Sequence, residues 1–374
     1  MADNENQRLA SLDLLRGFDL FLLLMFQPIL VQILTTCNNP SLQGVIHQFE
    51  HTEWHGFTFW DIIMPLFMFM SGITIPFALS KYKDGRLPVD GKFYWKITKR
   101  FIILFVLGWI VQGNLLALDP HNFYIYDNTL QSIAVGYIVA AFLFVRCSIK
   151  WQMVWCALFF ILYIAVFAVF GHSDYTQGSN IAEAIDCNVL GQFRNGIIWN
   201  GDTWSFDPTY HYTWLLSSFN FIVTVMMGSF AGYILKGSKE QNRKLKFLII
   251  IGIACIAVSL IIDPVLPIIK RIWSSSMTLL SGGICFLFMA LFYYIVDMKG
   301  RKKGIEWMKY YGMNSLVAYC MFEVVKFSSI SDSLFFGLKQ YMGDFYSVVT
   351  VTVQVIIVYS IVRWMYHHHV FIKA

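Results

Sequence analysis

The sequence predicts an all-α, polytopic integral membrane protein: about ten transmembrane helices in one domain over residues 1–374, both termini cytoplasmic. Three observations carry that prediction. Hydrophobic residues make up 57% of the 374 and charged residues 14%, with a mean hydropathy of +0.57; so little polar surface cannot cover a water-soluble globule. Apolar stretches recur at the length needed to cross a hydrocarbon core of about 30 Å. Lysine and arginine collect in every second gap between those stretches, while the alternate gaps hold histidines and carboxylates.

In chain order the spans fall near residues 14–36, 57–79, 98–116, 129–146, 151–170, 213–235, 246–264, 274–296, 308–326 and 346–366. The first follows the polar segment MADNENQRLA and has no small-residue cleavage site behind it, so it is expected to be a retained span and not a signal peptide. Between the second and third spans stand Lys81, Lys83, Arg86, Lys92, Lys96, Lys99 and Arg100, and between the sixth and seventh Lys236, Lys239, Arg243, Lys244 and Lys246. Basic residues close to span ends are retained in the cytoplasm, which puts both gaps inside. Arg146 with Lys150, the Lys299–Lys309 cluster, and Arg363 with Lys373 fall on the same side. Of the 28 basic residues all but Arg194, Lys270, Arg271, Lys326 and Lys339 are then inside, and an even span count fits.

The longest extramembrane piece, residues 171–212, is external and holds Asp174, Glu183, Asp186, Asp202, Asp207, Tyr210 and His211. It can shape a sugar site or simply be a solvated loop. Of seven cysteines, Cys147, Cys156, Cys255, Cys285 and Cys320 lie in or beside spans and are expected to pack as small apolar groups. Cys37 and Cys187 fall in external gaps, where an oxidising compartment would permit a disulfide.

The chemistry concentrates in QFEHTEWHGFTFWDIIMPLFMFMSG, residues 48–72, at the outer end of the second span. Glu50, His51, Glu53, His55 and Asp61 lie there within twelve residues. A carboxylate at mid-membrane costs roughly 2.5–3.5 kcal/mol on insertion scales, so Asp61 should face a partner or a wet cavity. Histidine is the side chain best suited to taking and returning a proton near neutral pH. His51 and His55 are spaced i, i+4, but the zincin pattern needs Glu directly after the first histidine and Thr52 stands there. No metal is expected, and the HHH at 367–369 reads as a polar tail on the other side.

The first span, SLDLLRGFDLFLLLMFQP, adds Asp13 and Arg16 one turn apart at the inner mouth, with Asp19 and Gln27 deeper. Gly17 permits close helix approach. Positive charge there, with Lys99 and Arg100 nearby in the basic gap, suits an anionic cytosolic ligand such as a nucleotide diphosphate. Headgroup contact and topology alone account for most of the loop lysines, though less well for Arg16.

RLASLDLLRGFDLFLLLMFQP followed by HTEWHGFTFWDIIMPLFMFMSG resembles the signature of the heparan-alpha-glucosaminide N-acetyltransferase family. NTLQSIAVGYIVAAF at 128–142 and YGMNSLVAYCMFE at 311–323 fit in the family's order. The resemblance implies a ten-span core that takes the acetyl group of cytosolic acetyl-CoA and delivers it to the amine of a terminal glucosamine on the far side. His51 matches the family's catalytic histidine and Asp61 its acid; Gln27 and His55 stand where asparagines are usual. Coenzyme contacts are then expected from Asp13, Arg16, Lys99, Arg100 and Gln131, and acceptor contacts from Glu50, Trp54, His55 and Asn314. Gln131 and Asn314 are polar within spans, where such residues more often bridge helices than contact ligand.

Those residues suit the reaction. Attack of an amine on a thioester needs the amine deprotonated and the carbonyl oxygen stabilised. His51 can remove the proton or first accept the acyl group. The Gln27 amide can serve the oxyanion, a contribution of roughly 2.7–4 kcal/mol where such donors have been removed. Asp61 can hold the imidazole in its productive tautomer. Ten helical residues advance about 15 Å, so that contact requires a non-helical stretch near Gly56; otherwise Asp61 serves another partner. Trp54, Trp60 and Trp204 can stack on a sugar face or sit in the interfacial aromatic belt.

Two other classes remain open. A membrane O-acyltransferase of a glycan hydroxyl often carries a histidine about eleven residues after the first-span arginine, where this chain has Gln27. A solute transporter would use the intramembrane charges as a relay, but no internal repeat or pair of matching broken spans is visible. The expected setting is a bacterial inner membrane, the site reachable from outside. The expected partners are acetyl-CoA, an amino-sugar acceptor and lipid, without nucleic acid. A homodimer is compatible, since lipid-facing and protein-facing surfaces have like composition.

Overall fold

A computed structural model describes residues 9–372; the polar segment 1–8 and Lys373 lie outside the described residues. In chain order the helices are α1 Ala10–Phe21, α2 Gln27–Cys37, α3 Gln43–Gln48, α4 Ile63–Lys83, α5 Gly91–Val111, α6 Thr129–Arg146, α7 Ile149–Phe170 and α8 Ile181–Leu190. After a hairpin, β1 Ile197–Asn200 and β2 Thr203–Phe206, come α9 Ser218–Lys236, α10 Gln241–Ile262, α11 Ser275–Phe292, α12 Met308–Met313, α13 Ser315–Val324, α14 Phe327–Phe335, α15 Lys339–Met342 and α16 Tyr346–His367. The protein is all-α and polytopic: among the described residues, eight helical stretches are long and apolar enough to cross a membrane.

The other two expected spans take different forms. The third is α5, whose first half carries Lys92, Lys96, Lys99 and Arg100, the charges that lower its hydropathy. The ninth is broken: α12 stops at Met313, Asn314 leaves helical geometry at φ −120°, ψ 34°, and α13 restarts at Ser315. The external segment also holds the β1–β2 hairpin, with Trp199 opposite Trp204. Its two-residue turn is Gly201-Asp202, between the paired Asn200 and Thr203, with Gly201 at φ +66°, glycine standing at the first central position of a tight hairpin. All seven cysteines are free thiols, so Cys37 and Cys187 are not joined.

The described chain divides into two compact units: one formed by residues through His51, Thr58–Ile63 and Leu287 onward, the other by Thr52–Phe57 and Met64–Phe286. In the first, α1 and α12 meet backbone to backbone. A Cβ at Gly17 would lie 1.9 Å from the Met308 carbonyl oxygen, and one at Gly312 1.9 Å from that of Asp13; no side chain fits at either crossing point. Between α1 and α2 the helix widens to π geometry over Leu22–Phe26. Pro28 lacks an N–H and crowds the preceding turn, and the bulge accommodates it.

In the second unit α4, α6 and α9 are largely buried, whereas only 11% of the apolar window of α7 and 17% of that of α10 are covered by protein. Apolar helices left so bare suit contact with lipid. Caps fix the helix starts: Asp90 accepts from the N–H groups of Lys92 and Phe93, and Asn128 from that of Leu130.

Candidate active site

His51 and Asp61 meet in the first unit. His51 Nδ1 lies 2.9 Å from Asp61 Oδ1; the imidazole is 39% exposed and the carboxylate 0%. The contact exists because the chain between them is not helical until Phe59. Gly56 takes φ +118°, a conformation that side-chain-bearing residues rarely adopt, and Phe59–Ile62 forms one tight turn before α4 begins. Thr58 caps that turn. Its N–H donates to Asp61 Oδ2 (3.0 Å), its hydroxyl lies 3.1 Å from the same oxygen and 2.6 Å from the Glu50 carbonyl, and the Asp61 N–H returns to the Thr58 carbonyl (3.1 Å).

Gln27, at the end of the π bulge, reaches the chain two residues before His51. Its Nε2 donates to the Phe49 carbonyl at 3.3 Å, a long bond that can be exchanged. The Phe49 ring packs on Phe26 at 5.6 Å, Phe59 at 5.8 Å and Trp60 at 6.3 Å. The three expected catalytic residues thus gather within one unit, and the exposed Glu50 adjoins them in sequence.

Residues 52–57 pack in the second unit. Trp54 Nε1 donates to the Tyr175 carbonyl (2.9 Å), and its ring meets His211 edge-on at 5.9 Å. His55 Nε2 sits 3.0 Å from Asp263 Oδ1, and the Gly56 N–H donates to the Ile268 carbonyl (2.9 Å). His211 forms another histidine–carboxylate pair, its Nδ1 3.0 Å from Glu183 Oε2. Nearby, buried Asp186 accepts from the N–H groups of Trp214 (2.7 Å) and Leu215 (3.1 Å), and burial pushes its carboxyl up to about 6. Asp127 accepts from Asn195 at 3.3 Å and is pushed by burial up to about 7.

The expected coenzyme residues divide between the units. In the first, Arg16 Nη1 stands 3.9 Å from Asp13 Oδ1, with Arg16 partly exposed. In the second, Lys99 is exposed, and Arg100 sits over Tyr137 with its guanidinium carbon 3.9 Å from the ring centre and its Nε unpartnered. Gln131 is spent on structure: Nε2 donates to the Ile125 carbonyl (2.9 Å) and Oε1 accepts the Asp127 N–H (3.0 Å). Asn314 is buried at the break between α12 and α13, and neither of its amide atoms has a hydrogen-bond partner.

Sequence reasoning missed Thr58, although its spacing to Asp61 is that of a capping box. It also gave no role to Asp19, which is buried in α1 with neither oxygen hydrogen-bonded. Among the described residues no three His, Cys, Asp or Glu side chains converge as a metal site.

A polytopic, all-helical membrane protein with a buried carboxylate oriented on a half-exposed histidine is the class that fold and site define. The profile described as "Heparan-alpha-glucosaminide N-acetyltransferase, catalytic" matches residues 8–183, a stretch that holds every expected site residue except Asn314. The chain is 24% identical over 338 residues to the heparan-alpha-glucosaminide N-acetyltransferase of Mus musculus, covering 76% of this chain and 50% of that protein. With the Homo sapiens protein of the same name the identity is 23% over 337 residues, covering 75% and 49%. The chain therefore spans about half the length of the curated relatives it matches. These matches make the chain similar to the heparan-alpha-glucosaminide N-acetyltransferase family, most directly over residues 8–183.

Proposed function

We propose that this chain is a transmembrane N-acetyltransferase that moves an acetyl group from cytosolic acetyl-CoA to the amine of glucosamine, or of a glucosamine-terminated glycan, on the outer side. One observation carries the reading: the 2.9 Å contact between the half-exposed His51 ring and the fully buried Asp61 carboxylate. A neutral imidazole donating from Nδ1 to Asp61 carries its lone pair on Nε2, where it accepts a proton from the attacking amine. The C–N bond forms as the C–S bond breaks; the amine proton passes to His51, which hands it to the departing thiolate, so that the coenzyme leaves as thiol and the imidazole is neutral again. General-base assistance of this kind contributes typically about 10²–10⁴-fold. The same ring also suits service as an acetyl carrier. Gln27, released from its long bond to Phe49, supplies an amide N–H for the carbonyl oxygen.

Bound acetyl-CoA supplies the activated acyl group. The cationic residues suit its phosphates: Arg100 offers an unpartnered Nε from a guanidinium over Tyr137, Lys99 is exposed, and Arg16, steadied by Asp13, is partly so. Gln131 acts by holding the 125–127 turn. For the acceptor we assign Glu50, Trp54, His55 and the unpartnered amide of Asn314. The chain is read as one acyltransferase domain with cytoplasmic termini in an inner membrane, as the basic-gap pattern supports.

The test uses right-side-out and inverted vesicles given labelled acetyl-CoA and glucosamine. Transfer is expected only where the coenzyme meets the cytoplasmic face and the sugar the other, and is lost in His51→Ala protein that still folds. Transfer undiminished by that substitution, labelling of a sugar hydroxyl, or sugar uptake without acetyl consumption would each overturn the reading.

A further inference from the structure

We propose that Thr58 is the positioning residue that sets the His51–Asp61 pair, acting through Asp61 and never on substrate; this rests on the reading of His51 given above. A carboxylate joined to its histidine through ten residues of mostly irregular chain has no local helix to orient it. Thr58 supplies the orientation. Its N–H and hydroxyl both reach Asp61 Oδ2, at 3.0 and 3.1 Å, and with that oxygen fixed the carboxylate plane is fixed and Oδ1 is left to meet the imidazole. The same hydroxyl lies 2.6 Å from the carbonyl of Glu50, the residue immediately before His51. One buried side chain thus ties the backbone that carries the imidazole to the carboxylate that orients it.

Counting donors gives the consequence. The Glu50 carbonyl and Asp61 Oδ2 both only accept, so the single hydroxyl proton is shared between them. Replacing the hydroxyl with a methyl group takes from the Glu50 carbonyl its Thr58 donor and frees the carboxylate to rotate about its backbone-held oxygen. The imidazole then loses its fixed Nδ1–H acceptor, and the neutral ring divides between its two tautomers. Only one of these offers Nε2 as the base. Thr58 is itself only 3% exposed, so it cannot be a substrate contact.

The test compares native protein, Thr58→Val, Thr58→Ser and His51→Ala in nanodiscs. Each is measured for kcat and KM with acetyl-CoA and glucosamine, and for the His51 tautomer by 15N NMR of histidine-labelled protein. Thr58→Val is expected to lower kcat roughly 10- to 100-fold with KM little changed and to turn one tautomer into a mixture; Thr58→Ser should restore both. Native kcat with an unchanged tautomer in Thr58→Val, or a Ser variant no better than Val, would overturn the proposal. If His51→Ala keeps native activity the base reading fails, and the tautomer measurement still decides whether Thr58 positions the ring. Should Thr58→Val not fold, Thr58→Cys takes its place, with the same expectations.

Discussion

Two histidines in this protein meet a carboxylate through Nδ1 at nearly the same distance, 2.9 Å for His51 with Asp61 and 3.0 Å for His211 with Glu183. Their surroundings separate them. His51 is 39% exposed above a carboxylate that is 0% exposed, whereas His211 and Glu183 are only 10% and 8% exposed. Glu183 Oε1 is further occupied by Asn180 Nδ2 (2.7 Å) and the Gly178 N–H (3.2 Å), so that pair fastens the external segment to itself. Hydrogen-bond geometry orients an imidazole in either place. Access to the ring decides whether the orientation can serve chemistry or only stability.

That contrast can be broken most directly by removing each ring. His51→Ala is expected to cost about 10²–10⁴-fold in kcat with little change in melting temperature, and His211→Ala to leave kcat near native. A reversal of the two results would dissolve the distinction. Gln27→Ala should follow at about 10²-fold in kcat, with Gln27→Asn, which keeps the amide, losing less; steady-state kinetics in nanodiscs decides it. On the stability side, Glu183→Gln or His211→Ala is expected to cost about 1–3 kcal/mol, the range for a buried polar group left without its partner. Thermal unfolding reads that loss, and an unchanged midpoint would remove the fastening role.

The smallest effect is a pH dependence seated at Asp127, faced by Asn195, Tyr124 and Tyr210. Its carboxyl is raised from 3.8 to about 7 by burial, so the folded state binds more protons than the unfolded one between those values. Stability therefore falls as pH rises from about 4 to about 7 and levels off above. Asp127→Asn should flatten that slope and gain relative to native protein at pH about 8. A slope that survives the substitution would assign it elsewhere, with Asp186, raised to about 6, next in line.

Much of this was legible in the residues. Mean hydropathy and span-length apolar runs give the all-α membrane fold, because in hydrocarbon the backbone must satisfy its own hydrogen bonds. The candidate segment 48–72 stood out by His51 and Asp61 alone, and the requirement for an irregular stretch near Gly56, if the two were to touch, followed from helix rise. Why they touch was not visible, since it depends on the positive φ of Gly56 and on Thr58 serving two acceptors, neither of which periodicity reports. The break at Asn314 escaped notice because MNSLVAY keeps a helical apolar pattern through it. Gln131 was legible only as a polar residue in a span; that both ends of its amide go to the turn at 125–127 was not. The hairpin at 197–206 left one readable mark, the Gly201-Asp202 turn, inside a stretch otherwise read as a loop.

The central claim is that His51 and Asp61 act as one catalytic unit, and a double-mutant cycle tests it most directly. Activity of native protein, His51→Ala, Asp61→Asn and the double variant would be compared in the same nanodiscs, each confirmed as folded. The account predicts that the double variant is no slower than His51→Ala alone, because Asp61 works only through the ring. Losses that multiply would mean that the two residues act independently, and would contradict it.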